Sequence, residues 1–561
     1  MNYYRILILL LLLPVLTFSF ADAQGNSRDS VRKTMIHWDH VDNLMLMMDS
    51  DPPLQKFIGN VIFRLDSSYL YCDSAIFNQR DNFLEAFSNI KLKQGDTLFV
   101  YGKYLQYDGN TELARLRHNV RMVSIQQDSS VVTLYTDSLD YDRRIDVGYY
   151  FEGGRIVDVD NELTSVYGQY SPQTKIATFN DSVHLDNPNF ILDSDTLEYS
   201  TESKIVTILG PSVIKSDSGI IHSSKGWYDT QENTSLLLDR SVVLSDTRIL
   251  TGDSLMYKRE LGIGEAFRDM SIVDTAQKVT LTGHYGYSEE KTEYAFASDS
   301  ACAIEYSQGD SLFLHGEFLE LTTVDSTSRY IRATNGVRFY RADIQGKCDS
   351  MRFNTKDSVL CMYGNPVLWS DDWQLTGDSI VIYMSDSAVD YVHVPSSSFV
   401  VQEVEPGYYN QLGGNDLKVY FRGKMIEHIF IDGSAELIYY MYDRDSLMIG
   451  LDYMMGPDLL LNFDEDGKMF KMKMGVLSKN IKGRMIPFHI LTEEDKYLRN
   501  FNWYGNYRPQ NRYDIFRFSR WWKEPETVGE EEEPDEPDKL LNKDITLGSQ
   551  ELNNRSFQQQ E

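Results

Sequence analysis

Cysteine, proline and long apolar runs are all scarce in this sequence of 561 residues. It contains 4 cysteines and 15 prolines, too few for a disulfide-dense scaffold or a collagen-like chain. Beyond the first 23 residues, no stretch reaches the roughly 18 apolar residues that a membrane-spanning helix requires. With 42% hydrophobic and 25% charged residues, most of the chain can nevertheless form a folded core.

Positive charge is also deficient. There are 54 basic and 84 acidic residues, which give a formal net charge of −30. Nucleic-acid binding needs clustered cations that release counterions, so nucleic acid is excluded as a partner. The sequence contains no HExxH pair, no phosphate-binding glycine loop and no nucleophile elbow. We therefore expect a protein that is not an enzyme and that has neither a metal site nor a cofactor.

Residues 1–23 have the features of a secretory signal peptide. Arg5 supplies the positive charge, residues 6–13 are aliphatic without interruption, and Ala21-Asp22-Ala23 forms a small-residue cleavage site. We expect cleavage after Ala23 and export to the periplasm, where the protein can associate with the outer membrane. The alternative is an uncleaved anchor helix.

A short motif recurs along most of the chain. Clear copies are Gly252-Asp253-Ser254-Leu255 and Gly377-Asp378-Ser379-Ile380, and the second residue of each copy serves here as its anchor. The residue before the anchor is small in every copy, which predicts a sharp bend or a close approach of two backbones. Eleven anchors follow one another at a mean interval of about 30 residues, at 73, 103, 137, 169, 195, 225, 253, 284, 317, 349 and 378.

Apolar residues stand at the second and fourth positions after eight of these anchors. A spacing of two places both side chains on one face of a β-strand. The copies at 169, 225 and 284 depart from the pattern, and we expect loosened strands there. Signals such as Gly59-Asn60-Val61 lie between the copies and predict turns, so that each repeat should hold two strands. The expected fold class is all-β, an elongated array with about 30 residues per repeat.

The small-Asp-Ser-Leu-x-Tyr strand of residues 252–257, together with the Gly-Asn-Val signal, resembles the OstA/LptA-like (organic solvent tolerance) family of lipopolysaccharide-transport proteins. The resemblance covers residues from about 59 to about 390. It implies an open β-jelly roll in which antiparallel strands fold into a V and form an apolar groove for the acyl chains of lipopolysaccharide. It also implies a transport scaffold whose partners are the outer-membrane lipopolysaccharide translocon and, as further candidates, inner-membrane transport components.

The apolar pairs are the candidate residues of the lipid groove. Each acyl methylene that they bury would contribute about 0.8 kcal/mol to binding. The alternative is a packed β-solenoid core that holds no ligand. The candidates are Leu105, Tyr107, Leu139, Tyr141, Leu197, Tyr199, Leu255, Tyr257, Leu319, Leu321, Ile380 and Ile382.

Residues 496–523 differ in composition from the rest of the chain. They hold ten aromatic and seven basic residues with one acidic residue. Arginine forks and aromatic rings are typical anchors of interfaces. We predict that a transport partner docks through Arg508, Arg512, Phe516, Arg517, Trp521 and Trp522. The alternative is that this segment covers the end of the β-array, where an edge strand would otherwise be exposed.

The sequence predicts six segments. They are the signal peptide 1–23, a lead-in 24–58, the OstA/LptA-like array 59–395, a continuing β-region 396–485, the aromatic and basic module 486–523, and an acidic tail 524–561 that should be disordered. Two other functions stay open. One is a secreted structural or adhesive β-solenoid, which an apolar groove without bound lipid would favour. The other is a β-helix enzyme acting on carbohydrates, which would need a cluster of carboxylates.

Overall fold

The computed structural model describes residues 35–519 except 66, 218, 246, 277, 307–310, 326–327, 386–387, 424, 444, 446, 464–468 and 475–479. This part of the chain holds 40 β-strands and four 3₁₀ helices of three or four residues. None of its helices is long and apolar enough to span a membrane. The predicted all-β class is confirmed. The strands pair antiparallel with their neighbours, unlike those of a parallel β-helix.

The chain divides into two units, residues 1–239 and 240–561. The division falls inside the segment 59–395 that was expected to form one array. The six segment boundaries stay predictions. The strands of unit 1 are β1 Ile36–His40, β2 Asn43–Met47, β3 Leu54–Leu65, β4 Ser68–Asn78, β5 Phe83–Gln94, β6 Leu98–Asp108, β7 Leu113–Ile125, β8 Val131–Asp142, β9 Val147–Tyr150, β10 Gly154–Val157, β11 Glu162–Ser165, β12 Tyr167–Ser171, β13 Ile176–Asn187, β14 Phe190–Ser200, β15 Ile205–Ile208, β16 Ser212–Ser216, β17 Gly219–Ser223, β18 Lys225–Asp229 and β19 Thr234–Leu238.

The long strands of unit 1 bend near their middle. In β5, Ser88 and Asn89 have φ angles of 61° and 50°, and they interrupt the pairing with β6 between Phe87 and Ile90. The interruption lies opposite the anchor at 103. Extra residues with positive φ form a bulge, which kinks the strand. Gly102, the small residue before this anchor, therefore lies at a bend, as its size predicted.

The two halves of a bent strand face each other. The ring centroids of Phe57 and Phe63 in β3 are 5.0 Å apart, although residues six positions apart in a straight strand would be separated by about 20 Å. Gly59 and Asn60 lie at this bend, within a continuous strand. The prediction that such signals mark turns between strands is wrong here. We define wall 1 as the strand residues just before each anchor, together with the strand halves that pair with them. Wall 2 is formed by the strand residues just after each anchor, together with the strand halves that pair with those.

Two copies of the motif lie in a different register from the one assigned by sequence spacing. Near the anchor at 169 the chain breaks into β11 and β12, and Gly168 and Tyr170 take the inner positions. Near the anchor at 225, Gly226 and Tyr228 take them. Tyr170 is 1% exposed and Tyr228 is 2% exposed. The expected loosening is wrong for these copies, because a buried tyrosine fills each position.

Unit 2 repeats the bent-strand pattern and adds a segment without strands. Residues 488–519 contain the 3₁₀ helices Phe488–Ile490, Glu493–Lys496, Gly505–Tyr507 and Asp514–Phe516. The strands of unit 2 are β20 Val242–Leu244, β21 Arg248–Thr251, β22 Ser254–Lys258, β23 Ile263–Asp274, β24 Val279–Glu289, β25 Tyr294–Glu305, β26 Leu312–Asp325, β27 Ser328–Arg341, β28 Ile344–Asn354, β29 Val359–Tyr363, β30 Val367–Ser370, β31 Trp373–Thr376, β32 Ser379–Ser385, β33 Ala388–Val394, β34 Ser398–Glu405, β35 Tyr408–Gly414, β36 Asp416–Arg422, β37 Met425–Tyr442, β38 Met448–Phe463, β39 Met469–Met474 and β40 Lys482–Pro487.

Candidate functional site

The residues expected to line a groove lie on the inner faces of the two units. In unit 1 the six side chains are 0% exposed, namely Leu105, Tyr107, Leu139, Tyr141, Leu197 and Tyr199. In unit 2, five are at most 6% exposed, namely Leu255, Tyr257, Leu319, Ile380 and Ile382. Leu321 is half-buried. The structure therefore brings each row to an inner face, whereas lipid binding by these rows stays a prediction.

The space between the walls of unit 1 is occupied by the protein's own side chains. A Cβ added to Gly148 on wall 2 would lie 3.0 Å from Cδ1 of Leu139 and 3.7 Å from Cε of Met122, which belongs to wall 1. Interiors packed at this density leave no room for an additional chain. An acyl chain could therefore enter unit 1 only if the walls move apart.

Hydrogen bonds join the two walls at the side opposite the bends, which we call the mouth. The predicted groove tyrosines supply several of the hydroxyl groups. Arg143, in a turn of wall 2, donates from Nη1 to Oη of Tyr107 over 2.8 Å. The same guanidinium donates from Nη2 to the carbonyl of Leu65 over 3.2 Å and to Oγ of Ser68 over 3.0 Å on wall 1. These bonds close the mouth at its first repeat.

The next two tyrosines also connect the walls. Oη of Tyr141 donates to Oδ1 of Asp146 over 2.7 Å, and Nε2 of Gln94 on wall 1 donates to the same oxygen over 3.0 Å. Nε2 of Gln126, also on wall 1, donates to Oη of Tyr170 over 3.2 Å. Burial, followed by the hydrogen bond to Asp146, raises the pKa of Tyr141. A protonated hydroxyl can continue to donate this bond at neutral pH.

A buried polar cluster closes the mouth near Tyr199. Oη of Tyr199 donates to Oδ2 of Asp158 over 2.9 Å and accepts from Nδ2 of Asn161 over 2.9 Å. Lys204, in a turn of wall 2, forms an ion pair with the same Asp158 oxygen. Nδ2 of Asn187 donates to Oδ1 of Asn161 over 2.9 Å. Burial, then the negative charge of Asp158, raises the pKa of Tyr199.

The inner face of unit 2 is built partly from small residues. A Cβ at Gly286 would lie 2.7 Å from Cε of Met270, so these two positions are already in close contact. Around this point, apolar inner side chains near the strand ends are only half-buried. The small inner residues are Ala266, Gly286, Ala297, Ala301 and Ala333, and the half-buried apolar ones are Val279, Leu281, Leu312 and Leu321. The interior of unit 2 is therefore less completely filled here than the interior of unit 1.

The segment 488–519 lies against the outer face of wall 1 in unit 2. Buried glutamines on two strands hold its backbone. Nε2 of Gln411 donates to the carbonyl of Lys496 over 2.6 Å. Nε2 of Gln374 donates to the carbonyl of Asn502 over 2.8 Å, and its Oε1 accepts from the amide of Tyr504 over 2.7 Å. The segment thus crosses the strands in the direction of decreasing residue number.

Four of the six residues expected to dock a partner make contacts within unit 2. Arg508 donates to Oε1 of Gln345 over 2.8 Å and to the carbonyl of Asp371 over 2.7 Å. The ring of Phe516 lies 4.8 Å from that of His315. The Arg512 guanidinium lies over the rings of Phe313 and Tyr513, and that of Arg517 over Phe518. Trp521 and Trp522 lie outside the described residues. Partner docking by this set stays a prediction, and the contacts agree with the alternative of a covering segment.

Sequence reasoning missed the residues that join the walls from turns. Arg143, Asp158 and Lys204 belong to no repeated motif, and their partners stand tens of positions away in the chain. Tyr170 was missed because the anchor near it was assigned three residues too late. A search for tyrosines in corrected register would have found Tyr170, whereas no local signal marks Asp158. Within the described residues, no group of three or more His, Cys, Asp or Glu side chains could hold a metal ion.

Two segments of the chain match protein families. Residues 33–195 match the family described as OstA-like protein. Residues 275–387 match the family described as LptA/(LptD N-terminal domain) LPS transport protein. No curated protein sequence matches this chain.

One solved structure with similarity is LptH from Pseudomonas aeruginosa, described as the LptA homologous periplasmic component of the conserved lipopolysaccharide transport device. It is 13% identical in sequence, and the alignment covers 25% of this chain and 79% of LptH with a TM-score of 0.15. The family assignment depends on the two sequence-family matches.

Proposed function

Because this chain belongs to the OstA/LptA-like family of lipopolysaccharide-transport proteins, we propose that it binds lipopolysaccharide and shields the acyl chains during outer-membrane assembly. The observation that carries this proposal is the pair of continuous apolar rows on the inner faces. In unit 1 they extend from Leu105 to Tyr199, and in unit 2 from Leu255 to Ile382. An acyl chain placed between such rows leaves water entirely, and each methylene contributes about 0.8 kcal/mol for transfer from water, from which the cost of opening the closed interior is subtracted.

Lipid entry requires the mouth to open. The side chains between the walls of unit 1 are packed against one another, and hydrogen bonds donated by Arg143, Gln94 and Tyr199 join the tips of the walls. We propose that these bonds break when an acyl chain inserts, so that chain methylenes replace contacts between protein side chains. Unit 2 should accept a chain more readily near Leu281 and Leu312, whose inner side chains are only half-buried.

Other members of the transport system are the proposed partners. Strand β2 lies at one end of unit 1 and pairs with β3 on one side. All five of its residues are exposed, and Leu46 is 59% exposed. An exposed apolar edge strand can accept a strand from another protein. We propose that a β-rich transport component adds to this edge, and that residues 508–522 supply a second contact with the outer-membrane translocon.

The proposed location is the periplasm, with association to the outer membrane. The family acts in the cell envelope, which supports this location. The expected signal peptide and its cleavage after Ala23 lie outside the described residues. The proposed role is that of a carrier that holds and releases a lipid, so it involves no chemical reaction, metal or cofactor.

Photo-crosslinking tests lipid binding between the walls. A benzophenone amino acid at Leu197 or Leu255 should form a covalent adduct with lipopolysaccharide, because both positions face inward. The same probe at Glu198 or Met256 faces the other side of the strand and serves as the matched control. Equal adduct yields from both faces would contradict the proposal.

A structural β-solenoid without a lipid ligand is the second candidate function. The complete burial of the inner rows of unit 1 favours it, because a closed core needs no ligand. Mass spectrometry of lipids that accompany the protein purified from the periplasm without detergent separates the two functions. Stoichiometric lipopolysaccharide supports transport, whereas its absence together with negative crosslinking supports the structural function.

A further inference from the structure

Tyrosines and cations alternate across the outer face of wall 1 in unit 1. Tyr71 pairs with Lys91, and Lys91 with Tyr101 on the next strand. Tyr101 pairs with Arg121, and Arg121 with Tyr135. Tyr135 pairs in turn with Arg155. The six positions form one row across β4, β5, β6, β7, β8 and β10, and we call this row the outer ladder.

The aromatic rings hold the cations of the outer ladder in place. The Arg121 guanidinium lies 4.6 Å from the ring centroid of Tyr101, and that of Arg155 lies 5.0 Å from Tyr135. Nζ of Lys91 lies 5.9 Å from the ring centroid of Tyr71. Stacking on a ring restricts a long side chain while its N–H groups stay available to a ligand.

Two of these cations have no acidic partner. Arg155 donates to Oε1 of Glu162 over 3.0 Å, but among the described residues neither Lys91 nor Arg121 forms an ion pair with a carboxylate. Arg121 is exposed. On a chain with a net charge of −30, these two cations are therefore held on rings without a carboxylate to offset their charge. They point to an anionic ligand.

A depression at the centre of the outer ladder supplies further polar groups. It measures about 750 Å³ and is lined by Tyr101, Arg121, Tyr135, Arg155, Asn119, Asp137 and Glu152, together with backbone at residues 153–154. Oδ1 of Asp137 accepts from the backbone N–H of Asn119 over 3.0 Å. The set combines cations, carboxylates, an amide and phenol groups on one open surface.

This combination selects among anionic ligands. A polyanion with a charge on every residue, such as an acidic peptide or a nucleic acid, would meet repulsion from Asp137 and Glu152. A saccharide with a few phosphate groups can place the phosphates on the cations. Its hydroxyl groups can donate to the carboxylates and accept from the side-chain amide of Asn119. Lys91 and Arg121 stand two strands apart, about 10 Å, which is comparable to the length of two linked sugar rings.

We propose that the outer ladder binds a sparsely phosphorylated oligosaccharide. Its phosphate groups contact Lys91 and Arg121, and its sugar hydroxyl groups occupy the depression between Tyr101 and Tyr135. The site lies on the outer face of wall 1 and needs no opening of the mouth. It is therefore independent of acyl-chain binding between the walls.

Isothermal titration with lipid-free oligosaccharides tests the outer ladder. The probe is the phosphorylated core oligosaccharide released from lipopolysaccharide by mild acid, and the comparison is the same oligosaccharide after phosphatase treatment. Removing the phosphate should weaken binding about 10- to 100-fold, because hydrogen bonds between charged groups are lost. Lys91→Gln combined with Arg121→Gln should weaken binding of the phosphorylated probe to a similar extent.

Arg80→Gln is the matched control, since Arg80 is exposed in a turn outside the outer ladder. This variant should bind the probe as the unchanged protein does, and both variants should unfold at the same denaturant concentration.

Equal binding of the phosphorylated and dephosphorylated probes, equal binding of poly-glutamate, or unchanged binding by the double variant would each overturn the proposal. Equal binding of a yeast phosphomannan would assign the site to phosphorylated glycans in general, whereas preference for the core oligosaccharide would assign it to lipopolysaccharide. Both of these outcomes support the proposal. Failure of photo-crosslinking at Leu197 would count against acyl binding alone.

Discussion

Tyr199→Phe should make the mouth of unit 1 easier to open without disturbing its core. The phenyl ring keeps the apolar packing, but the variant loses the bond donated to Asp158 and the bond accepted from Asn161, both of 2.9 Å. A hydrogen bond to a charged group contributes about 1.5–3 kcal/mol. Asp158 still has its ion pair with Lys204, so a loss of about 2 kcal/mol is the reasonable expectation. That loss should raise the open fraction at this position roughly 30-fold.

Two measurements check this expectation. Hydrogen exchange should be faster at the amides of residues 158–161, because these turn residues lose their contact with wall 2. A fluorescent fatty acid should also insert faster in a stopped-flow experiment, since the rate of entry follows the open fraction. Tyr167→Phe is the matched control, because Tyr167 is 49% exposed and lies on the opposite face of its strand from Tyr170.

Unchanged exchange and unchanged fatty-acid uptake in Tyr199→Phe would refute the assignment of this tyrosine to the mouth. Faster exchange without faster uptake would show that the mouth opens there but that lipid enters elsewhere. Faster uptake in Tyr167→Phe as well would show that loss of any tyrosine hydroxyl group suffices, and it would also refute the reasoning.

Three further predictions concern the two units separately. Gln374→Met should lower the free energy of unfolding by about 2–5 kcal/mol in urea, because buried backbone groups of residues 488–519 lose their partner, while Gln173→Met at an exposed position should change it by less than about 0.5 kcal/mol. Lys204→Met should cost about 3–5 kcal/mol in the same assay, because it leaves Asp158 charged and buried, and addition of Asp158→Asn should restore most of that stability. Leu46→Lys should leave the unfolding midpoint unchanged yet reduce co-purification of a transport partner, and an undiminished yield would exclude the β2 edge as the contact.

The inner face could be predicted from the sequence because strand alternation determines it. Leu197 and Tyr199 stand two positions apart, so one buried residue requires burial of the other. The small residue before each anchor could be interpreted for a similar reason, since only a small side chain fits at a sharp bend. The prediction failed at the anchors 169 and 225, where a break between short strands shifts the register. Motif spacing counts residues, but register depends on where a strand starts and ends.

The residues of the mouth and the path of the last segment could not be predicted. Asp158 and Lys204 each lie in a turn, and the contact exists only because the two walls close on each other. Gln411 and Lys496 are far apart in the chain and belong to no common pattern. Such contacts depend on the three-dimensional path of the chain, which neither the repeat period nor the composition of the sequence determines. The aromatic composition of residues 496–523 predicts partner docking, which stays a prediction, and the described contacts of this segment are within the chain.

The closed interior of unit 1 has a consequence for how tightly lipid can bind. If Leu139 and Leu197 were exposed in an empty groove, an acyl chain would gain the full hydrophobic free energy of both surfaces. In the structure they are already buried, so insertion exchanges one set of apolar contacts for another and must also break hydrogen bonds at the mouth. The net gain per methylene is then well below the value of about 0.8 kcal/mol for transfer from water. A carrier must release its cargo to the next component, and a small net binding energy allows that release. The packing that favours a ligand-free core therefore also suits a protein that passes lipid onward, and the two functions differ in whether the mouth opens.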